Sequence, residues 1–425
     1  MSAYSEFRIG WPVVVSSLVG IALGMSPLPF YTIGVFAGQL TAEFGWGIDK
    51  VLSGLAIFTV AGMVASPLVG MLSDRLGVRR VALSSIFLFS LCFMAFALNN
   101  GSLVFYYALW ILLAFCGAGT LPMTFTRALS NWFHQKRGLA LGIALVGTGI
   151  AGALSKLFAA YVVAEAGWRV GYVAVGALPL LIALPIGFLL FHDIDDPRVS
   201  ARALRLRQLH SSADSDQESQ AMPVYGLTLR EAFADWRFWL IAVIFVPLSF
   251  GIGGPFPNLE TMMGDKGFSS SDAVFIASCL GYAVVVGRLL GGFLLDHIWA
   301  PLVACVLLIL PAISMYLLTA DAISYSTAIS SVFLLGMAAG MEYDLLAYLV
   351  GRYFGIRAYS SIYGALYIFF ALGAGFGPAI FGRVFEATGS YNLALNWSMW
   401  AFIFCSLALL LLGPYRDKEL RAMVD

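Results

Sequence analysis

Long apolar runs, each cut by a short cluster of charges or turn residues, recur along the whole chain. Runs of about 18 or more apolar residues match what an α-helix needs to cross a bilayer. The pattern predicts about twelve crossings, near residues 11 to 39, 50 to 73, 79 to 98, 102 to 132, 138 to 164, 169 to 191, 236 to 264, 271 to 296, 300 to 319, 325 to 351, 358 to 385 and 391 to 413. One long polar stretch interrupts them, residues 192–235, which contains RALRLRQLHSSADSDQESQ. It reads as a flexible linker rather than a regulatory domain. The expected organisation is an N-terminal six-helix bundle over residues 1–191, a linker over 192–235 and a C-terminal six-helix bundle over 236–425.

The halves match at a near-constant offset. Asp49 pairs with Asp272 (offset 223), Gly70 and Asp74 with Gly292 and Asp296 (222), and Phe133 with Phe354 (221). A duplicated unit of this kind places a binding site between the halves near the bilayer midplane. Pro27 and Pro29 break the first crossing and Pro255 and Pro257 the seventh, at matching places, which points to the same region.

Charge sets the orientation. Of 24 Lys and Arg residues, 17 fall on the side that carries both termini, which the positive-inside rule assigns to the cytoplasm. Arg8 is followed directly by a long crossing, without the short apolar core and cleavage site of a signal peptide. The expected location is a bacterial-type inner (cytoplasmic) membrane, multi-pass, with both termini cytoplasmic.

Composition narrows the class further. Hydrophobic residues make up 60% of the chain and charged ones 11%, too few charges for a soluble surface. Zero net charge and the lack of a basic run interleaved with aromatics argue against a nucleic-acid binder. The five cysteines lie in apolar segments without paired spacing, and the four histidines fall at predicted helix ends, so no metal site, disulfide frame or cofactor is expected. No HExxH or GxSxG motif supports an enzyme.

Gly70-Met-Leu-Ser-Asp74-Arg75-Leu-Gly77-Val-Arg79-Arg80 resembles the loop signature GxxxDRxGxRR of the major facilitator superfamily at every defined position. Glycines here permit close helix approach, Asp74 is placed to cap a neighbouring helix, and the arginines hold the cytoplasmic face. The second copy keeps Gly292 and Asp296 but has His297 in the arginine place. The resemblance implies an all-α membrane protein of twelve transmembrane helices in two six-helix bundles, with Gly70, Asp74, Arg75, Gly77, Arg79, Arg80 and Asp296 forming a conformational gate.

A narrower resemblance is to the monocarboxylate transporter and oxalate/formate antiporter branch. It is carried by Gly10-Trp11, Gly34-Val35-Phe36, Trp132-Phe133, Arg137, Leu139-Ala140, Gly142, Ala144, Gly147, Gly167-Trp168-Arg169, Gly281-Tyr282, Gly377-Pro378 and Thr388-Gly389-Ser390-Tyr391. Arg288 stands where that branch carries a carboxylate-binding arginine. The chain departs at Val284, Tyr31 and Ile9, where the branch has acidic or lysine residues, so proton coupling is not implied from those positions.

Charges inside crossings carry the remaining chemistry, because an ionised group at mid-membrane costs at least ~2.5 kcal/mol and usually marks a solute or proton path. Glu342 and Asp344 lie roughly 15 Å and 12 Å from Arg352 along one predicted helix. Two residues apart, they cannot share a face, so one is expected at the central cavity and the other within its own half. Asp344, Tyr348 and Arg352 repeat at spacing four, which favours Asp344 as the structural acid and Glu342 as the titrating one. Arg288 is the expected anion receptor because a guanidinium fits a carboxylate bidentately; a standing salt bridge to Asp344 or Glu342 is the plain alternative. Arg127 is expected to attract substrate or act in gating, or else to pair with Glu342 or Asp344. Lys156 reads as a snorkelling residue and Glu260 as a vestibule residue. Tyr31, Tyr282, Tyr343, Tyr363 and Tyr367 are candidate hydroxyl donors to substrate.

The expected function is proton-coupled secondary transport of a small organic monocarboxylate by a monomer in the lipid bilayer, by alternating access. Substrate-binding residues are Arg288, Arg127, Tyr31, Tyr282, Tyr363 and Tyr367, and proton-coupling residues are Glu342 and Asp344. Rival readings are an exchanger of dicarboxylates or aromatic acids, an exporter of amphipathic compounds, and a membrane sensor without transport.

Overall fold

The structure is a computed structural model that describes residues 3–133, 135–193 and 225–415. His134, His210 and the arginine- and serine-rich part of the expected linker lie outside the described residues. Helices named in chain order are α1 (Ala3–Ala22), α2 (Leu28–Phe44), α3 (Ile48–Leu76), α4 (Val78–Ala95), α5 (Leu103–Gly117), α6 (Pro122–Trp132), α7 (Arg137–Leu178) and α8 (Leu184–Leu190). They continue with α9 (Leu229–Ala234), α10 (Trp236–Gly253), α11 (Leu259–Asp265), α12 (Ser270–His297), α13 (Ala300–Leu318), α14 (Tyr325–Tyr353), α15 (Tyr359–Thr388) and α16 (Asn392–Leu409).

Among the described residues, ten helical spans are long and apolar enough to cross a membrane. One of them, Arg137–Leu190, is 54 residues long, enough for two crossings, and bends at Gly167, whose φ of 82° is left-handed. The first crossing is split by the prolines into α1 and α2, each too short or too polar to count alone. With the double span and the split one, the twelve expected crossings are accounted for.

The breaks are satisfied locally, as a chain in lipid requires. Between α1 and α2, Met25 N donates to Thr120 Oγ1 at 2.9 Å. Between α10 and α11, Asn258 Nδ2 donates to Gly254 O at 2.9 Å. Among the described residues, helix starts with side-chain caps include those at Ser102, Asp235 and Ser269, which accept from Phe105 N, Arg237 N and Asp272 N.

The chain folds into two compact units that are not contiguous in sequence. Among described residues, the first comprises 3–193, 225–228 and 354–364, and the second 229–353 and 365–415. In the first unit, residues 225–228 lie antiparallel to 354–357: Leu227 N donates to Phe354 O at 2.8 Å and Ile356 N to Tyr225 O at 3.0 Å. Gly226 and Gly355 face each other there with φ of 131° and 80°. A Cβ on Gly226 would come within 2.6 Å of Phe354 O, so only glycine fits.

The turn at Gly167 is held by a clasp. Glu43 accepts from Trp168 Nε1 and, at 2.7 Å, from Arg169 Nη1, and Arg169 reaches on to Asn99 O at 3.3 Å. The Arg169 guanidinium also stacks 4.2 Å above the Trp168 ring. Hydrogen bonds from Trp168 and then Arg169 hold the Glu43 carboxyl below its ordinary pKa.

Candidate functional site

In the second unit, α12 and α14 approach each other through glycines. A Cβ on Gly287 would lie 2.1 Å from Met337 O, and one on Gly340 would lie 2.2 Å from Val284 O. Gly287 and Gly291 on α12 and Gly336 and Gly340 on α14 form two small-xxx-small seams that let the backbones touch, the arrangement that packs helices in lipid, where apolar burial drives nothing. A third seam, Gly373 and Gly377 on α15, meets α10, with a Gly373 Cβ 2.2 Å from Val246 O.

The first seam brings the buried charges together. Arg288 is 3% exposed, and its Nε donates across the seam to Gly340 O at 3.1 Å. Its Nη1 is buried without a hydrogen-bond partner. Glu342 is 5% exposed and sits 2.5 Å from Ser249 Oγ on α10. Asp344 is fully buried, and neither of its carboxylate oxygens has a hydrogen-bond partner. The Arg288 charge acts on both acids through space.

This arrangement corrects two expectations. The standing salt bridge between Arg288 and an acid is absent, because Arg288 spends its Nε on the Gly340 carbonyl, the acceptor the glycine seam puts nearest. The ladder from Asp344 through Tyr348 to Arg352 also stops short of the acid: Arg352 Nη2 donates to Tyr348 OH at 3.2 Å, and its guanidinium lies over the Tyr348 and Tyr415 rings, leaving Asp344 outside. Ser249 went unread in the sequence, where a lone serine on an apolar helix carries no signal. The glycine seams had one, the repeated GxxxG spacing.

Of the tyrosines, Tyr367 bonds Tyr343 and stacks on Phe370 at 5.5 Å, while Tyr343 lies 4.5 Å from the same ring. These three form an aromatic cluster, of which Tyr343 is next to Glu342 in sequence. Tyr282 is 73% exposed. In the first unit, Tyr31 is exposed, and Gly152 makes room for its ring, which a Cβ there would meet at 2.5 Å. Tyr363 is buried beside Tyr359. Lys156 and Glu260 are exposed.

The first unit holds the loop-signature cluster. Gly70 packs against the backbone at Ser360, where a Cβ would fall 2.3 Å from the carbonyl. That contact seats Asp74 at the start of α15, where it accepts from Ser360 N at 3.2 Å, Ser361 N at 2.8 Å and Ser361 Oγ at 2.5 Å. A carboxylate at a helix N-terminus meets both free N–H groups and the positive end of the dipole. Arg127 Nη1 binds Asp74 Oδ1 at 2.6 Å and Ser73 O at 3.2 Å. Arg127 therefore pairs with Asp74, not with Glu342 or Asp344. Arg79 donates to Phe191 O at 2.6 Å and Phe188 O at 2.7 Å, fastening the end of α8. Gly77 has φ of 86° at the turn, and Arg75 and Arg80 are exposed. Asp296, the second-copy acid, lines a 590 Å³ cavity of the second unit with His297, Trp299, Tyr348, Arg352 and Tyr415.

A membrane-spanning helical fold with opposed charges buried inside its helices is the architecture of a carrier of small solutes. The chain belongs to the Major Facilitator Superfamily, whose sequence profile matches residues 19–378. It is 26% identical to the probable sulfoacetate transporter SauU of Cupriavidus necator, over 90% of this chain and 89% of that protein. To monocarboxylate transporter 13 of Rattus norvegicus it is 26% identical, over 90% of this chain and 84% of the other. The structure of the proton:xylose symporter XylE aligns over 100% of both chains with a TM-score of 0.69 at 14% identity, a likeness of fold alone.

Proposed function

We propose that this membrane transporter carries a small organic monocarboxylate together with a proton, by alternating access. The observation that carries the reading is the unfinished electrostatics of the second unit: Arg288 Nη1 and both oxygens of Asp344 are buried without hydrogen-bond partners. A buried cation and a buried acid left open are costly unless something completes them. A substrate carboxylate completes Arg288, and a proton taken up by Glu342 removes one of the two negative charges buried with Asp344. Neutralising both removes the charge that opposes closure around the solute.

In this reading Arg288, held by the Gly340 carbonyl, binds the anion, Glu342 carries the proton, and the Asp344 charge acts on Arg288 through space. Tyr343 and Tyr367 line the same region and orient the substrate. The Asp74 and Arg127 cluster stabilises one conformational state and acts as the gate. The chain works as a monomer in a bacterial-type inner membrane with both termini cytoplasmic, as the distribution of Lys and Arg supports. Relatives named for a monocarboxylate and for sulfoacetate both support an anionic substrate. Sulfoacetate carries a second anionic group, which favours dicarboxylate or sulfonate exchange as the second reading.

The test is uptake of labelled monocarboxylates from acetate to benzoate into proteoliposomes, with and without an inward proton gradient. Arg288→Ala and Arg288→Lys are both expected to abolish uptake, because lysine lacks the bidentate fork. Uptake that survives Arg288→Ala overturns the anion assignment and favours an exporter of amphipathic compounds. Binding without movement of any solute favours a sensor.

A further inference from the structure

Ser249 Oγ lies 2.7 Å from the carbonyl of Phe245, one turn back on α10, and 2.5 Å from Glu342 Oε1 on α14. Both are hydrogen-bond distances between oxygens. A serine hydroxyl has a single proton, and a backbone carbonyl only accepts. If Ser249 donates to Phe245 O, the proton in the shorter contact must belong to the Glu342 carboxyl. We infer that Ser249 is a positioning residue for the proton-carrying group: it accepts a hydrogen bond from protonated Glu342 while its own proton rests on Phe245 O.

The same pair has a second arrangement. When the Glu342 proton leaves, the carboxylate can only accept, and the Ser249 hydrogen must swing from Phe245 O to Glu342. Phe245 O keeps the backbone bond of its helix ladder, so the swing needs no heavy-atom movement. The proton on α14 is thereby registered on α10, two residues beyond Pro247 and just before the break that follows Gly253. Ser249 is held closely by α15, since a Gly373 Cβ would lie 2.9 Å from Ser249 Cβ.

Few other charged groups face the pair. Asp344 and Tyr343 share α14, Arg288 acts from α12, and Tyr367 bonds Tyr343 from α15. The α13 segment contains no Asp, Glu, Lys, Arg or His, and the lone charge on α10 is Arg237 in its first turn.

This inference rests on the reading of Glu342 as the proton carrier, and its test separates the two. Infrared spectra of the reconstituted protein are recorded in the protonated-carboxyl region, with Glu342→Gln assigning the band. In Ser249→Ala the Glu342 band is expected to move to higher wavenumber, because the carboxyl O–H has lost its acceptor. Ser249→Thr restores the position, and Ser249→Cys, which keeps the volume with a weaker acceptor, shifts it partway and serves if the alanine variant fails to fold. In proton-driven acetate uptake, Ser249→Ala lowers the maximal rate about tenfold, the scale of one lost buried hydrogen bond, with half-saturation nearly unchanged. A Glu342→Gln spectrum that loses no band, or a Ser249→Ala band that superposes on the wild type, overturns the inference. Normal band behaviour in a protein that moves no carboxylate sustains the Ser249 assignment and overturns the transport reading instead.

Discussion

Asp74 accepts the Ser361 backbone N–H at 2.8 Å, a bond between residues 287 positions apart that joins the end of α3 to the first turn of α15. Gly70, one turn before Asp74, is the condition for it, since any side chain there strikes the Ser360 carbonyl. Arg127 completes the cluster from α6.

The cluster is expected to behave as one energetic unit. Asp74→Ala and Arg127→Ala each leave a partly buried group without its partner, at about 1–3 kcal/mol. The double variant is expected to cost less than the two singles together, by about 0.5–3 kcal/mol. Thermal unfolding of the four proteins in one detergent measures this. Strict additivity would show that the ion pair carries no coupling.

The glycine seam makes a steric prediction. Gly340→Ala and Gly287→Ala drive a methyl into a backbone carbonyl and are expected to destabilise by about 1–3 kcal/mol or more. Gly281→Ala, on the same α12 with nothing within 4 Å of its Cβ, is expected to be neutral or slightly stabilising. Melting temperatures of the three variants decide it, and an equal effect at Gly281 would refute the seam as the cause.

Asp344 makes an opposite kind of prediction. Its carboxylate gains no hydrogen bond in the fold, so Asp344→Asn removes an uncompensated buried charge. Thermal stability is expected to equal or exceed wild type while carboxylate uptake is lost. A large fall in stability would mean that the acid serves the fold.

The Glu43 clasp predicts a pH dependence. Its folded pKa is lowered by Trp168 and Arg169, so its contribution is complete above the ordinary carboxylate range, about pH 4.3. The contribution is lost as pH falls through the lowered folded value. The melting difference between wild type and Glu43→Gln is therefore expected to be constant near neutrality and to vanish in strong acid. A difference that grows on acidification would contradict the clasp.

Legibility differed by the kind of interaction. The crossings, the proline breaks and the Gly70–Arg80 loop were plain from the order of residues, because a bilayer imposes a length on apolar runs and a backbone turn imposes glycine at fixed spacing. That Arg288, Glu342 and Asp344 lie inside long apolar helices was legible in the same way. The pairing of those charges did not follow.

Sequence alone determined that this chain spans a membrane, that it carries the Gly70–Arg80 signature, and that acids and arginines lie within the crossings. Tertiary structure alone decided that Arg127 answers Asp74, that Arg288 turns to the Gly340 carbonyl, and that Glu342 meets Ser249. The physical reason is range. Hydrophobic crossing depends on neighbours within some 20 residues along the chain. A hydrogen bond depends on which backbone comes within about 3 Å. The glycine seams set that approach between helices far apart in the sequence.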